Sequence, residues 1–323
     1  MKAACKIRTV FMGSPDFAVE SLRALHQCSF VELLGVVTQP DRPKGRGLRI
    51  QPPPVKVFAE QIGGIPVWQP ERVAAPDFME QMRLLKPDLI VVVAFGQKIP
   101  QSLLDLPYLG CINVHGSLLP EYRGAAPIHR AIIDGRTVTG VTTMYLDSGW
   151  DTGDMILKRE LSIGPNETVG CLHDRMALAG GELLAQTVAY IRDGKAPRIA
   201  QDHQKATYAP KLKPEDGLIH WDRTAIDIAN LIRGLDPWPS AFTYYDDKQL
   251  RLYCPEVITL EKGNSSYGSI VKIIKGQGFA VSTDAGCVLI KEVQPAGKRR
   301  MSAEAFLQGY HLKQGERLEC KTL

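Results

Sequence analysis

Asn113 and His115 stand two residues apart in Cys111-Ile112-Asn113-Val114-His115-Gly116-Ser117-Leu118-Leu119-Pro120, whose apolar start reads as a strand running into a loop. In a strand, residues i and i+2 share a face, so the amide and the imidazole project together where the sheet ends. An amide donor beside a titratable ring can stabilise a developing oxyanion and handle a proton, which is the chemistry of acyl-type transfer. The same pair could instead do no more than satisfy the loop backbone. A second cluster, Leu146-Asp147-Ser148-Gly149-Trp150-Asp151-Thr152-Gly153-Asp154, follows the β-rich run at 140–145. Its acids could simply build Asx-turns. Brought beside His115, however, one of them would fix the tautomer and turn the ring into a usable acid or base.

Holding these groups together requires a sheet. Residues 7–13 read as a buried strand, with Ser14 as N-cap and Pro15 as the first residue of a helix running to about 26. Further strands are expected at 31–38, 89–95, 110–114, 140–147 and 155–161, and helices at 55–61, 76–85, 127–134 and 167–193. This alternation predicts an α/β fold, an open and mostly parallel Rossmann-like sheet whose ligand crevice lies at the carboxyl ends of its strands. Asn113, His115 and Asp151 would all fall at or just after such ends. From about residue 196 the texture changes to extended, proline-broken chain. A helix at 224–234 then leads to short strands at 241–245, 249–254, 268–275, 278–283 and 287–293, which predict a small barrel. The expected organisation is a catalytic domain at 1–195, a linker at 196–213 and a second domain at 214–323.

Composition bounds the function classes. A chain of 323 residues exceeds the usual single core, and 44% hydrophobic with 23% charged residues is ordinary for a globular protein. No apolar run approaches the roughly 20 residues of a membrane span, and Arg8 interrupts any secretory pattern. The seven cysteines are scattered, odd in number and never form Cys-x-x-Cys. A cytoplasmic protein with reduced thiols and no bound metal is the expectation. Cys111, beside the candidate pair, reads as a small buried residue in preference to a nucleophile. Residues 41–56 hold Arg42, Lys44, Arg46, Arg49 and Lys56 against Asp41 alone, a net +4 that equals the formal charge of the whole chain. The glycines and prolines of 41–49 make this an exposed mobile loop, either a solvated surface or a set of phosphate contacts for a polyanionic substrate. Residues 214–323 carry 14 basic and 14 acidic side chains, so bulk charge there announces no nucleic acid. Lys298-Arg299-Arg300 is the local exception.

Two other classes fit poorly. A nicotinamide-dependent dehydrogenase would need a glycine-rich phosphate turn after the first strand, but Gly13-Ser14-Pro15-Asp16-Phe17-Ala18 has one glycine and a proline that lacks an amide donor. A non-catalytic RNA-binding module leaves the Asn113, His115 and Asp151 set unexplained.

Several blocks in order resemble the methionyl-tRNA formyltransferase family: Phe11-Met12-Gly13-Ser14-Pro15-Asp16-Phe17-Ala18, Gln39-Pro40-Asp41-Arg42-Pro43, Val92-Val93-Ala94-Phe95-Gly96, Asn113 to Pro120, Arg123-Gly124-Ala125-Ala126-Pro127-Ile128, Asp151-Thr152-Gly153-Asp154 and the late Pro237-Trp238-Pro239 and Gln294-Pro295-Ala296-Gly297-Lys298. The resemblance implies formyl transfer from 10-formyltetrahydrofolate, a co-substrate, to the methionine amine of initiator tRNA. It implies an OB-like C-terminal domain, no bound cofactor, no DNA or membrane partner, and a monomer. It also implies roles: Asn113, His115 and Asp151 in catalysis; Phe95, Gly96, Gln97, Ser117, Leu118, Leu119 and Pro120 around the folate; and Arg42, Lys44 and Arg46 on tRNA. Within the folate class, a glycinamide ribonucleotide formyltransferase would lack the C-terminal domain, and a folate hydrolase would carry further dehydrogenase modules. A sugar-nucleotide formyltransferase is the alternative, against which the basic insertion at 41–49 speaks.

Overall fold

The computed structural model describes residues 6–44, 49–260 and 265–321. Packing divides the chain into two compact units, the first drawn from 1–124, 139–161 and 173–208 and the second from 125–138, 162–172 and 209–323.

The first unit is built on a seven-stranded sheet. From edge to edge its strands are Met155–Ser162, Val138–Tyr145, Cys111–His115, Leu89–Val93, Ile7–Gly13, Val31–Val37 and Val67–Trp68. The last five named are joined by parallel ladders. Leu89–Val93 has no polar face to offer water, and all five of its residues are buried, as a central parallel strand requires. Helix Pro76–Leu85 lays Phe78, Met79 and Met82 on Val10, Met12, Ile90 and Val92 of that sheet. That spacing is one helical face, and burying each such side chain contributes roughly 1.5–3 kcal/mol. Helix Asp16–Gln27 buries Phe17, Ala18, Ser21, Leu22 and Leu25 in the same way.

Val138–Tyr145 departs from the parallel rule. It runs antiparallel to Cys111–His115, with His115 opposite Thr142 and Ile112 opposite Tyr145. The loop that follows it therefore starts at the amino end of Cys111–His115, where the Leu146 N–H donates to Cys111 O at 2.8 Å. Asp151 comes just after the carboxyl end of its own strand, as the alternation suggested, but because that strand is antiparallel this end lies beside the amino end of Cys111–His115; its Oδ2 still comes within 3.7 Å of His115 Nδ1.

Smaller differences have local causes. Ser14 does not cap the first helix, which begins at Asp16 after Pro15; its Oγ instead accepts the Gln39 N–H at 3.0 Å and the Thr38 hydroxyl at 3.2 Å. The edge strand Val67–Trp68 was not expected, because two residues carry no periodicity. Trp68 covers Gly35, where a Cβ would lie 2.1 Å from the indole. The basic segment is not wholly loop: Arg42–Lys44 and Arg49–Gln51 pair as a short antiparallel ladder, tolerating Pro43 because a two-stranded ribbon is all edge.

In the second unit, Thr224 caps helix Ala225–Gly234 by accepting the Asp227 N–H at 3.2 Å. Gly234 lets helix Pro127–Ile133 approach closely, since a Cβ there would lie 2.5 Å from Ile133. An antiparallel sheet runs Phe242–Tyr245, Lys248–Ile258, Cys287–Pro295, Gly278–Ser282, Ile270–Ile274, with Met301–Ser302 paired to Cys287–Pro295. Its core joins Leu250, Leu252, Phe279, Val281, Val288 and Ile290 to Phe306 of helix Ala303–Tyr310. Among the described residues no helix is long and apolar enough to cross a membrane.

Candidate active site

Asn113 and His115 alternate with Ile112 and Val114 in a strand buried along its length, and they share a face. Asn113 is 9% exposed and His115 6%. The His115 Nε2 lies 2.9 Å from Tyr122 O. A carbonyl only accepts, so Nε2 carries a hydrogen and the neutral ring presents its lone pair at Nδ1. The tautomer is thus set by Tyr122 and not by a carboxylate, as sequence reasoning had it. Nδ1 faces the Asp151 Oδ2 at 3.7 Å, an ion-pair distance once the ring takes a proton there. The Asn113 side chain has no hydrogen-bond partner among the described residues, although nine-tenths of it is buried.

The loop carrying Asp151 is held by its own chemistry. Asp147 Oδ1 accepts from the Gly149 N–H at 3.0 Å and from the Thr152 hydroxyl at 2.7 Å. Gly153 presses against Tyr145, where a Cβ would fall 2.0 Å from the carbonyl oxygen. Asp151 itself has φ +55°, and its Oδ2 accepts the Gly124 N–H at 2.8 Å. Its backbone carbonyl and that of Gly153 receive the Gln201 Nε2 hydrogens at 2.9 and 2.8 Å.

Ala94, Phe95, Gly96 and Gln97 follow the strand beside Asn113, which pairs with Val92. Phe95 is buried in the core, and its carbonyl accepts the Gln39 Nε2 hydrogen at 3.1 Å. Gly96 is exposed with φ +85°, and Gln97 is tied to Val73 N and Pro70 O. After His115, Ser117 and Leu119 are fully buried: Ser117 Oγ donates to Glu121 O at 2.5 Å, and Ser117 O accepts the Thr142 hydroxyl at 2.7 Å. Leu118 and Pro120 are half-buried. Lys158 Nζ braces this turn by donating to Leu119 O at 2.5 Å, and burial pushes its ammonium below the usual lysine range. Burial pushes the Cys111 thiol up to about 12, which leaves no thiolate to act as nucleophile.

Arg42 is exposed and pairs with Glu71 at 2.6 Å. Lys44 lies in the short ladder with Arg49 opposite, and Arg46 falls outside the described residues. Lys56, counted among the loop's cations, is engaged with Asp41 at 2.8 Å, and that bond together with Gln69 holds the Asp41 carboxyl below the usual range.

One amide with spare donors, one imidazole with an available nitrogen and one carboxylate therefore converge on a sheet face. Such a set can donate to an oxyanion and relay a proton. The sequence named these three as candidates, and the structure brings them together; the sequence did not name Tyr122, Gly124 and Gln201, which hydrogen-bond to them. Tyr122 and Gly124 act through backbone atoms that any residue type would supply, and Gln201 lies in a stretch without periodicity.

A family model described as formyl transferase matches residues 6–188, and one described as formyl transferase, C-terminal domain matches 211–311. Proteins named methionyl-tRNA formyltransferase are similar throughout. The one from Geobacter metallireducens is 51% identical over 309 residues, covering 96% of this chain and 97% of its own. That of Desulforamulus reducens is 49% identical over 309 residues, covering 96% of each, and that of Moorella thermoacetica is 49% identical over 314, covering 97% and 100%. Among solved structures, WlaRD, a sugar 3N-formyl transferase crystallised with dTDP and 5-N-formyl-THF, aligns with TM-score 0.66 at 17% identity over 92% of this chain and all of its own. HypX from Aquifex aeolicus in complex with tetrahydrofolic acid aligns with TM-score 0.61 at 16% identity over 97% of this chain and 51% of its own.

Proposed function

Because this chain belongs to the methionyl-tRNA formyltransferase family, we propose that it transfers the formyl group of 10-formyltetrahydrofolate to the free amine of methionine on initiator methionyl-tRNA. The observation that carries the mechanism is the buried Asn113 amide, without a protein partner among the described residues, on the strand face that also holds His115 against Asp151 at 3.7 Å. The amine nitrogen attacks the formyl carbon, and a C–N bond forms as the carbonyl electrons move to oxygen. Asn113 N–H donates to that oxyanion, and His115, whose Nε2–H is held by Tyr122 O, joins it through Nδ1 when that nitrogen carries a proton. Asp151 steadies the imidazolium and takes the proton lost by the amine through a bridging water. Collapse of the tetrahedral adduct breaks the bond to folate N10, which takes the proton held by Asp151, through the same water, and leaves as tetrahydrofolate.

In this reading the folate lies between Phe95, Gly96, Gln97 and the turn Ser117 to Pro120, with no bound cofactor or metal. The tRNA acceptor arm meets Arg42, Lys44 and Arg46, and Lys298-Arg299 supplies further charge from an OB-like domain at 214–323, after a catalytic domain at 1–195 and a linker at 196–213; Arg300, of the same run, is taken up by Asp236 and Glu292. The enzyme works as a cytoplasmic monomer. The close likeness to proteins named for methionyl-tRNA, against 17% identity to a sugar formyltransferase, supports the macromolecular acceptor over a sugar nucleotide.

The test offers the purified protein 10-formyltetrahydrofolate with initiator methionyl-tRNA, elongator methionyl-tRNA or an amino-sugar nucleotide, following tetrahydrofolate release. Turnover is expected with the initiator tRNA and at least tenfold less with either competitor. Preference for the amino-sugar nucleotide would overturn the assignment.

A further inference from the structure

We infer that Gln201 is a positioning residue, holding the Asp151 carboxylate at His115 through a buried chain anchored on Arg123. The inference rests on the reading of His115 and Asp151 given above.

Arg123 is 2% exposed, and its guanidinium, which can only donate, gives Nε–H and Nη2–H to Gln201 Oε1 at 3.1 and 2.7 Å and approaches His203 Nδ1 at 3.1 Å. The amide orientation of Gln201 follows: its oxygen faces the cation and its nitrogen must face the other way. Both Nε2 hydrogens are then spent on the carbonyls of Asp151 and Gly153, one on each side of Thr152. Asp151 has φ +55°, in the left-handed region that aspartate tolerates better than most side chains, and the two Gln201 bonds fix the backbone there.

Three consecutive residues close the arrangement. Tyr122 O takes the His115 Nε2 hydrogen, Arg123 orients Gln201, and Gly124 N–H binds Asp151 Oδ2 at 2.8 Å. The segment 122–124 thus sets the imidazole directly, and the carboxylate both directly and through Gln201. Moving the Asp151 backbone moves its carboxylate relative to Nδ1. A misplacement of about 1 Å can cost on the order of a hundredfold in rate.

Gln201→Glu separates positioning from stability. The new carboxylate keeps and strengthens the bonds from Arg123, but it has no hydrogen for the Asp151 and Gly153 carbonyls and repels them. The variant is expected to stay folded, held by Arg123, to lose about thirtyfold or more in kcat, and to keep KM for folate and tRNA within about twofold. The ¹⁵N resonance of His115 Nδ1 should shift while Nε2 keeps its hydrogen. Gln201→Met, which removes both sets of bonds, should lose kcat as well. Parental kcat in Gln201→Glu overturns the proposal, as does a loss with an unmoved Nδ1 resonance, which would make Gln201 merely structural. Asp151→Asn measured alongside distinguishes the two levels: if it too turns over at the parental rate, the reading of Asp151 itself fails.

Discussion

The Oδ2 of Asp151 lies 3.7 Å from Nδ1 of His115 while accepting the Gly124 N–H at 2.8 Å. The carboxylate is therefore anchored by one short bond and poised, beyond hydrogen-bond distance, against the ring. Asparagine at this site can still accept from Gly124 and is among the residues that best tolerate a positive φ. Asp151→Asn is accordingly expected to fold normally and to lose roughly a hundred- to ten-thousandfold in kcat, measured by single-turnover formylation. Near-parental turnover would reduce the carboxylate to a structural role.

Asn113 makes no hydrogen bond to the described residues and its amide is not sealed from solvent, so alanine there breaks no protein hydrogen bond. We expect Asn113→Ala to melt close to the parental temperature while kcat drops about a hundredfold or more with KM for folate unchanged. A change confined to KM would move Asn113 from catalysis to binding.

The segment holding Arg42, Lys44 and Arg46 is the proposed contact for tRNA. Replacing Arg42, Lys44 and Arg46 together by alanine should raise KM for methionyl-tRNA, flatten its salt dependence and leave folate binding intact. Parental kinetics across a salt titration would make the segment a solvated surface.

Arg42 is held by Glu71 before any substrate arrives, at 2.6 Å and in the open. Exposed pairs of this kind are worth up to about 1 kcal/mol, or roughly fivefold in affinity. Glu71→Gln should release Arg42 and lower KM for methionyl-tRNA by up to that factor at low salt. A raised KM would show that Glu71, and not phosphate, is the partner Arg42 needs.

Cys111 donates weakly to Leu103 O at 3.6 Å, and its thiol is pushed from 9.0 up to about 12 by burial first and by the charge of Asp105 second. The folded state therefore favours the protonated thiol: that stabilisation is complete below pH 9 and is lost as pH rises toward 12, at about 1.4 kcal/mol per unit. Cys111→Ala should remove this limb from the alkaline unfolding curve. Native Cys111 should resist alkylation at pH 8, and modification with loss of activity would contradict its burial.

Much of this molecule is legible in one dimension because local physics decides it. The apolar run of Leu89–Val93 must be a doubly covered strand, Pro76 and the spacing of Phe78, Met79 and Met82 must open and orient a helix, and the i, i+2 rule alone puts Asn113 and His115 on one face. The sequence could not determine strand direction. Nothing within 138–145 says that it runs antiparallel to its neighbour, because direction depends on how the preceding connection packs, and direction determines the edge from which the Asp151 loop departs. Nor could it supply the tautomer of His115 or the place of Gln201. These come from a backbone carbonyl at Tyr122 and a side chain fifty residues from Asp151, partners that only tertiary packing brings within hydrogen-bond reach.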